Sequence, residues 1–135
     1  MTLRGRIILA AGDAAAIVAF VVIGLLTHGE GIDPRGLLRT AVPILILWFA
    51  IAPMIGTYRR PGWRTMLPTW AIAVMGGLLV RRVIFHRPST WGDLLEFMAV
   101  SLAFTLLFLS VWRLVATGTG LTAFSPRAAG GGARR

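Results

Sequence analysis

Apolar residues fill this chain in four long blocks, and most polar residues fall between them. The blocks cover residues 6–27, 35–58, 65–85 and 93–117. About 20 residues at a rise of 1.5 Å each cross a hydrocarbon core of roughly 30 Å, so every block is long enough to span a bilayer. A backbone in lipid has no water to bond to, and a helix satisfies it within one segment. The pattern therefore predicts four transmembrane helices. Short loops make sequential helices antiparallel neighbours, and the expected fold over residues 1–117 is all-α: an integral membrane up-down-up-down four-helix bundle.

Local signals place the ends. Gly29 and Gly31 supply left-handed residues to cap the first helix. Asp33 followed by Pro34 reads as the N-cap and first position of the second. Pro43 and Pro53 lie inside that helix, and each removes a backbone hydrogen bond, so a bend is expected. Tyr58 to Arg64 is a short basic and aromatic turn at a headgroup surface. Thr90 with Asp93 three positions on resembles a capping box for the fourth helix. Residues 118–135 form a basic, Gly-rich tail expected to be mobile, either unstructured or resting on anionic lipid.

Four-residue spacing of small side chains lets helices approach closely. It occurs at Ala11, Ala15 and Ala19, at Ala52 and Gly56, at Ala73 and Gly77, and at Ala99 and Ala103. These positions are expected at helix contacts.

Composition narrows the chemistry. The chain has 135 residues, 56% of them hydrophobic, which leaves no room for a soluble catalytic domain. Cysteine is absent, so disulfides, thiolate metal sites and cysteine nucleophiles are excluded. The net charge of +9 comes from fourteen basic residues, all of them arginine. Spread over two faces of a membrane, that charge does not make a nucleic-acid interface. An N-terminal secretory signal is not expected, because the first block is too long, contains Asp13 and lacks a cleavage pattern. With the N-terminus inside, the cytoplasmic face holds Arg4, Arg6, Arg59, Arg60, Arg64, Arg127, Arg134 and Arg135. Arg35, Arg39, Arg81, Arg82 and Arg87 are on the other side, and this bias predicts cytoplasmic termini in the cell membrane.

Charges inside spans cost about 2.5 to 3.5 kcal/mol at the centre on insertion scales and tend to pair. Asp13 lies about seven residues into the first block, and Arg113 lies near the end of the fourth with a stem that can reach inward. Their pairing leaves no lone ion in lipid. A polar layer is expected near the opposite surface from Arg39, Arg81, Arg82, Asp93, Glu96 and His28, with Glu96 paired to Arg82 or Arg81. By helical phase, Asp13, Phe20, Gly24 and Thr27 form one inward stripe, and Glu96, Ala103, Ser110 and Thr117 another with Arg113 at its edge. Two readings of the charges stand side by side: they fix helix register, or they form a proton or substrate site. His28 and His86 have no third ligand near them in sequence, and interfacial hydrogen bonding is expected over metal or haem binding. No cofactor is expected. Trp63, Trp91 and Trp112 fit an aromatic belt, with Trp48 and Trp70 deeper as packing residues.

Several short pieces together resemble the small prokaryotic membrane proteins of the domain of unknown function three-zero-five-four family. They are Gly12-Asp13, Ala19-Phe20, Ile23-Gly24 and His28-Gly29; Trp48, Ala52-Pro53 and Gly56; Trp70, Gly77 and Arg81; and Trp112-Arg113. The resemblance implies a four-span membrane protein without an assigned activity, and points to Asp13, His28, Trp48, Arg81, Trp112 and Arg113. Two functions compete. The first is a non-enzymatic helical subunit or scaffold that packs in the bilayer with itself or a partner. The second is a small secondary transporter in which Asp13 exchanges a proton for substrate; small multidrug transporters share that layout but carry fewer arginines. A membrane enzyme is not expected, since the chain has no Ser/His/Asp arrangement and no metal-ligand spacing.

Overall fold

A computed structural model describes residues 2–27, 33–85 and 91–120. Four helices make up these residues: α1 Leu3–Thr27, α2 Pro34–Ile55, α3 Trp63–Phe85 and α4 Trp91–Gly118. All four are long and apolar enough to cross a membrane, and the chain is a multi-pass membrane protein. The expected blocks become helices with small shifts at their ends. The expected Gly29 and Gly31 caps, the Thr90 capping box and the tail beyond residue 120 lie outside the described residues.

Each helix packs on its neighbours in a closed ring, α1 on α2, α2 on α3, α3 on α4 and α4 on α1. The α2–α3 seam is the most extensive. Its closeness depends on Gly77, where a Cβ would lie 2.8 Å from the Ile44 Cα. Gly77 is buried, as are Ala52 and Ala73, so the spacing of small residues marks real contacts on α2 and α3. On the other two helices it misleads. Ala11, Ala15, Ala99 and Ala103 are exposed, and Ala16, one position round α1, is the buried alanine.

Caps explain the ends of α2. The Asp33 carboxylate accepts the backbone N–H groups of Arg35 at 3.2 Å and Gly36 at 3.0 Å, with Pro34 in the first turn as expected. At the other end Gly56 adopts a φ of 83° and its N–H returns to the Ala52 carbonyl. This stops α2 three residues short of Tyr58, and the chain folds back so that Thr57 is buried and Tyr58 half-buried. α2 runs as one helix through Pro43 and Pro53, and α3 likewise through Pro68.

Trp48, Ile17, Ile44, Leu109, Met66 and Val74 form the centre of the core and are almost fully buried. Large aliphatic side chains such as Ile46, Met54, Leu79, Leu107 and Leu114 point outward. In lipid such exposure costs nothing, because acyl chains are as apolar as leucine. The interior holds instead a set of small polar groups. Thr57, in the turn after α2, and Thr69 on α3 share a hydroxyl hydrogen bond of 2.7 Å, and Trp70 Nε1 donates to Thr105 Oγ1 at 3.1 Å across α3 and α4.

Candidate functional site

The buried charges meet on the α1–α4 seam. α1 begins at Leu3, so Asp13 sits about ten residues, or about 15 Å, along the helix, deeper than the expected seven. Arg113 is near the end of α4, and its stem carries the guanidinium inward to the carboxylate. Nε donates to Oδ1 at 3.1 Å and Nη2 to Oδ2 at 2.6 Å, a two-pronged contact that engages both carboxylate oxygens. Asp13 is fully buried and Arg113 is 8% exposed.

Two aromatic residues complete the cluster. The Tyr58 hydroxyl accepts the Trp48 indole N–H at 2.7 Å. The Arg113 guanidinium lies 6.0 Å from the centre of the Tyr58 ring. Tyr58 reaches this position because α2 ends at Gly56. Nothing in the sequence pattern distinguished Tyr58 from an interfacial aromatic residue; the one signal was the Gly two positions before it.

The residues next to the pair lock the same seam. Gly12 precedes Asp13 and Trp112 precedes Arg113. The Trp112 indole packs against Gly12, in the space a Cβ would take, and its N–H donates to the Leu9 carbonyl at 3.3 Å. Trp112 is therefore a packing residue and does not belong to an interfacial belt, whereas Trp63 is exposed at the start of α3 as a belt residue would be. Among the described residues every buried side-chain nitrogen and oxygen has a partner. A pocket of about 90 Å³ lined by Pro61, Gly62, Trp63 and Met66 reaches Arg113 from the α2–α3 connection.

The expected second layer forms differently. Arg39 is exposed and leans on the Phe85 ring at 5.3 Å, and Arg81 lies over Phe97 at 5.4 Å. Arg82 and Asp93 are engaged with neighbours. Glu96 is exposed and makes no ion pair among the described residues, so its expected pairing with Arg82 or Arg81 is not formed. The reason is helical phase. α4 turns Leu94, Met98, Ser101, Thr105, Leu109, Arg113 and Ala116 inward, and Glu96, Ala103 and Thr117 of the expected stripe point out. On α1, Asp13 and Phe20 are buried as expected, while Thr27 is exposed. His28, His86 and the Trp91 side chain lie outside the described residues. No group of three or more metal-ligating side chains is found among the described residues.

Four antiparallel membrane-spanning helices closed by a buried ion pair between the first and the last define a small multi-pass membrane protein. Residues 10–116 match the family model described as Protein of unknown function (DUF3054), and the chain belongs to that family. No curated protein and no solved structure matches it.

Proposed function

We propose that the protein is a compact, non-enzymatic helical subunit or scaffold of the cell membrane, with both termini cytoplasmic, in which the Asp13–Arg113 pair holds α1 and α4 in register. The observation that carries this reading is the closure of the pair. Both oxygens of Asp13 are occupied by one guanidinium, which suits a fixed anion better than a group that loads and releases a proton. The exposed alanine faces of α1 and α4 support packing against a second copy or a partner helix.

The test compares Asp13→Asn with the wild type in proteoliposomes. The scaffold reading expects no flux of protons or common cations from the wild type and a loss of thermal stability in the variant. Proton-coupled flux that Asp13→Asn abolishes in a still-folded protein overturns it in favour of transport. That second reading draws on the pocket that reaches Arg113 from the bundle end. Because the chain contains no cysteine, single cysteines at Thr2 and Thr119 report the sidedness of the two ends directly.

A further inference from the structure

The two ends of the bundle carry charge differently. Because successive helices are antiparallel, the start of α1, the turn between α2 and α3 and the end of α4 lie at one end. Arg4, Arg6, Arg59, Arg60 and Arg64 are exposed there, and among the described residues none of them makes an ion pair and no exposed acid accompanies them. At the opposite end Arg35, Arg39, Arg81 and Arg82 are mixed with Asp33, Asp93 and Glu96. Four helices that cross a bilayer bring both ends to headgroups, but only one end presents positive charge alone.

The turn that carries Arg59 and Arg60 is built as one piece. Their backbone N–H groups both donate to the Gly56 carbonyl at 2.9 Å, and the Arg60 carbonyl accepts the Thr65 hydroxyl at 2.9 Å. The residues just before them face inward. Thr57 bonds to Thr69 on α3, and Tyr58 accepts the Trp48 indole N–H with its ring 6.0 Å from the Arg113 guanidinium. One short, hydrogen-bonded segment therefore joins an outer pair of arginines to an aromatic ring beside the buried ion pair. Trp63, exposed at the start of α3, adds an indole at headgroup depth.

The complement of such a face within a bilayer is a phosphate headgroup with net negative charge. A guanidinium can give a phosphate two parallel N–H···O bonds, and each arginine near an anionic surface strengthens binding by about fivefold. A zwitterionic headgroup brings its own cation and forfeits most of that gain. We propose that this end of the bundle is a docking face for anionic phospholipid headgroups of its own leaflet, centred on Arg59, Arg60 and Arg64, and that docking fastens Tyr58 against Trp48 and Arg113. A ligand that binds the folded turn stabilises the whole bundle. The proposal holds whether the ion pair is a fixed joint or a proton site.

The test uses the full chain in phosphatidylcholine nanodiscs with and without phosphatidylglycerol, read by thermal unfolding, and native mass spectrometry for the lipid retained. Phosphatidylglycerol is expected to raise the unfolding temperature of the wild type and to be retained over phosphatidylcholine, both effects shrinking as ionic strength rises. Arg59→Gln with Arg60→Gln should match the wild type in phosphatidylcholine, lose the rise, and cut the lipid preference by about tenfold or more. Arg35→Gln with Arg39→Gln, at the other end, should keep both effects. Tyr58→Phe should keep the lipid preference, which the arginines set, but show a smaller rise. The proposal is overturned by a wild type indifferent to phosphatidylglycerol, by a rise that survives in the Arg59 and Arg60 variant or is lost equally in the Arg35 and Arg39 variant, or by a full rise in Tyr58→Phe. An equal rise from inorganic phosphate added to phosphatidylcholine nanodiscs also overturns it, since the ligand would then be a free anion.

Discussion

The two ends of the α1–α4 seam are built on opposite terms. At the Gly12 end a tryptophan lies over a glycine and an arginine grips an aspartate, so the helices touch and every polar group is matched. At the Gly24 end the same two helices line an open pocket of about 330 Å³ walled by Phe20, Phe104 and Phe108. Contact at one end and separation at the other come from the size of the side chains between the helices and from where charge is placed. A single pair of helices can thus hold a tight joint and an open chamber about 18 Å apart, the rise over the twelve residues from Gly12 to Gly24.

Breaking the joint should have the largest effect. Asp13→Ala or Arg113→Ala leaves an unmatched ion in the core and is expected to cost about 3–5 kcal/mol, seen as a fall in the denaturant midpoint in mixed micelles. The double replacement Asp13→Leu with Arg113→Met should recover most of that loss, because an apolar pair of similar volume carries no desolvation penalty. If the double variant is as unstable as the singles, the pair does more than balance charge.

Next in size is Gly12→Ala. Its methyl enters the space of the Trp112 ring, and forced separation of the seam is expected to cost about 1–3 kcal/mol in thermal unfolding, with a change in tryptophan emission. Tyr58→Phe deprives the buried Trp48 N–H of its acceptor and should cost about 1–2 kcal/mol by the same unfolding assay. The smallest change sharpens the contrast. Gly24→Ala on the same helix meets open space and should be neutral or stabilising by up to about 1 kcal/mol, so the two glycines of α1 give opposite signs.

Much of this architecture was legible in the chain because the bilayer imposes strict rules. Twenty apolar residues must be a helix, and two opposite charges within spans must find each other, so Asp13 and Arg113 could be paired across a hundred residues. Which way each helix faces was much less legible. In a soluble bundle polarity marks the outer face, but lipid and core are equally apolar here, and the polar residues of α4, Glu96, Ser101, Thr105, Ser110, Arg113 and Thr117, do not share one face. The phase chosen turned Glu96 inward, whereas the helix turns Arg113 and Thr105 inward. Ala11 and Ala99 failed as contact markers for the same reason. Tyr58 and the Phe-lined chamber depend on a chain reversal at Gly56 and on the divergence of two helices, and neither leaves a periodic trace in the sequence.

The ion pair also sets an order of events during synthesis. Asp13 and Arg113 are separated by 100 positions, so at roughly 5–20 residues per second the first span waits about 5–20 s for its counter-ion to be made. Throughout that interval Asp13 lacks the α4 guanidinium that matches it in the finished protein. A product truncated before Arg113 therefore carries a core acid without its counter-ion, which makes the last span the one that completes the fold.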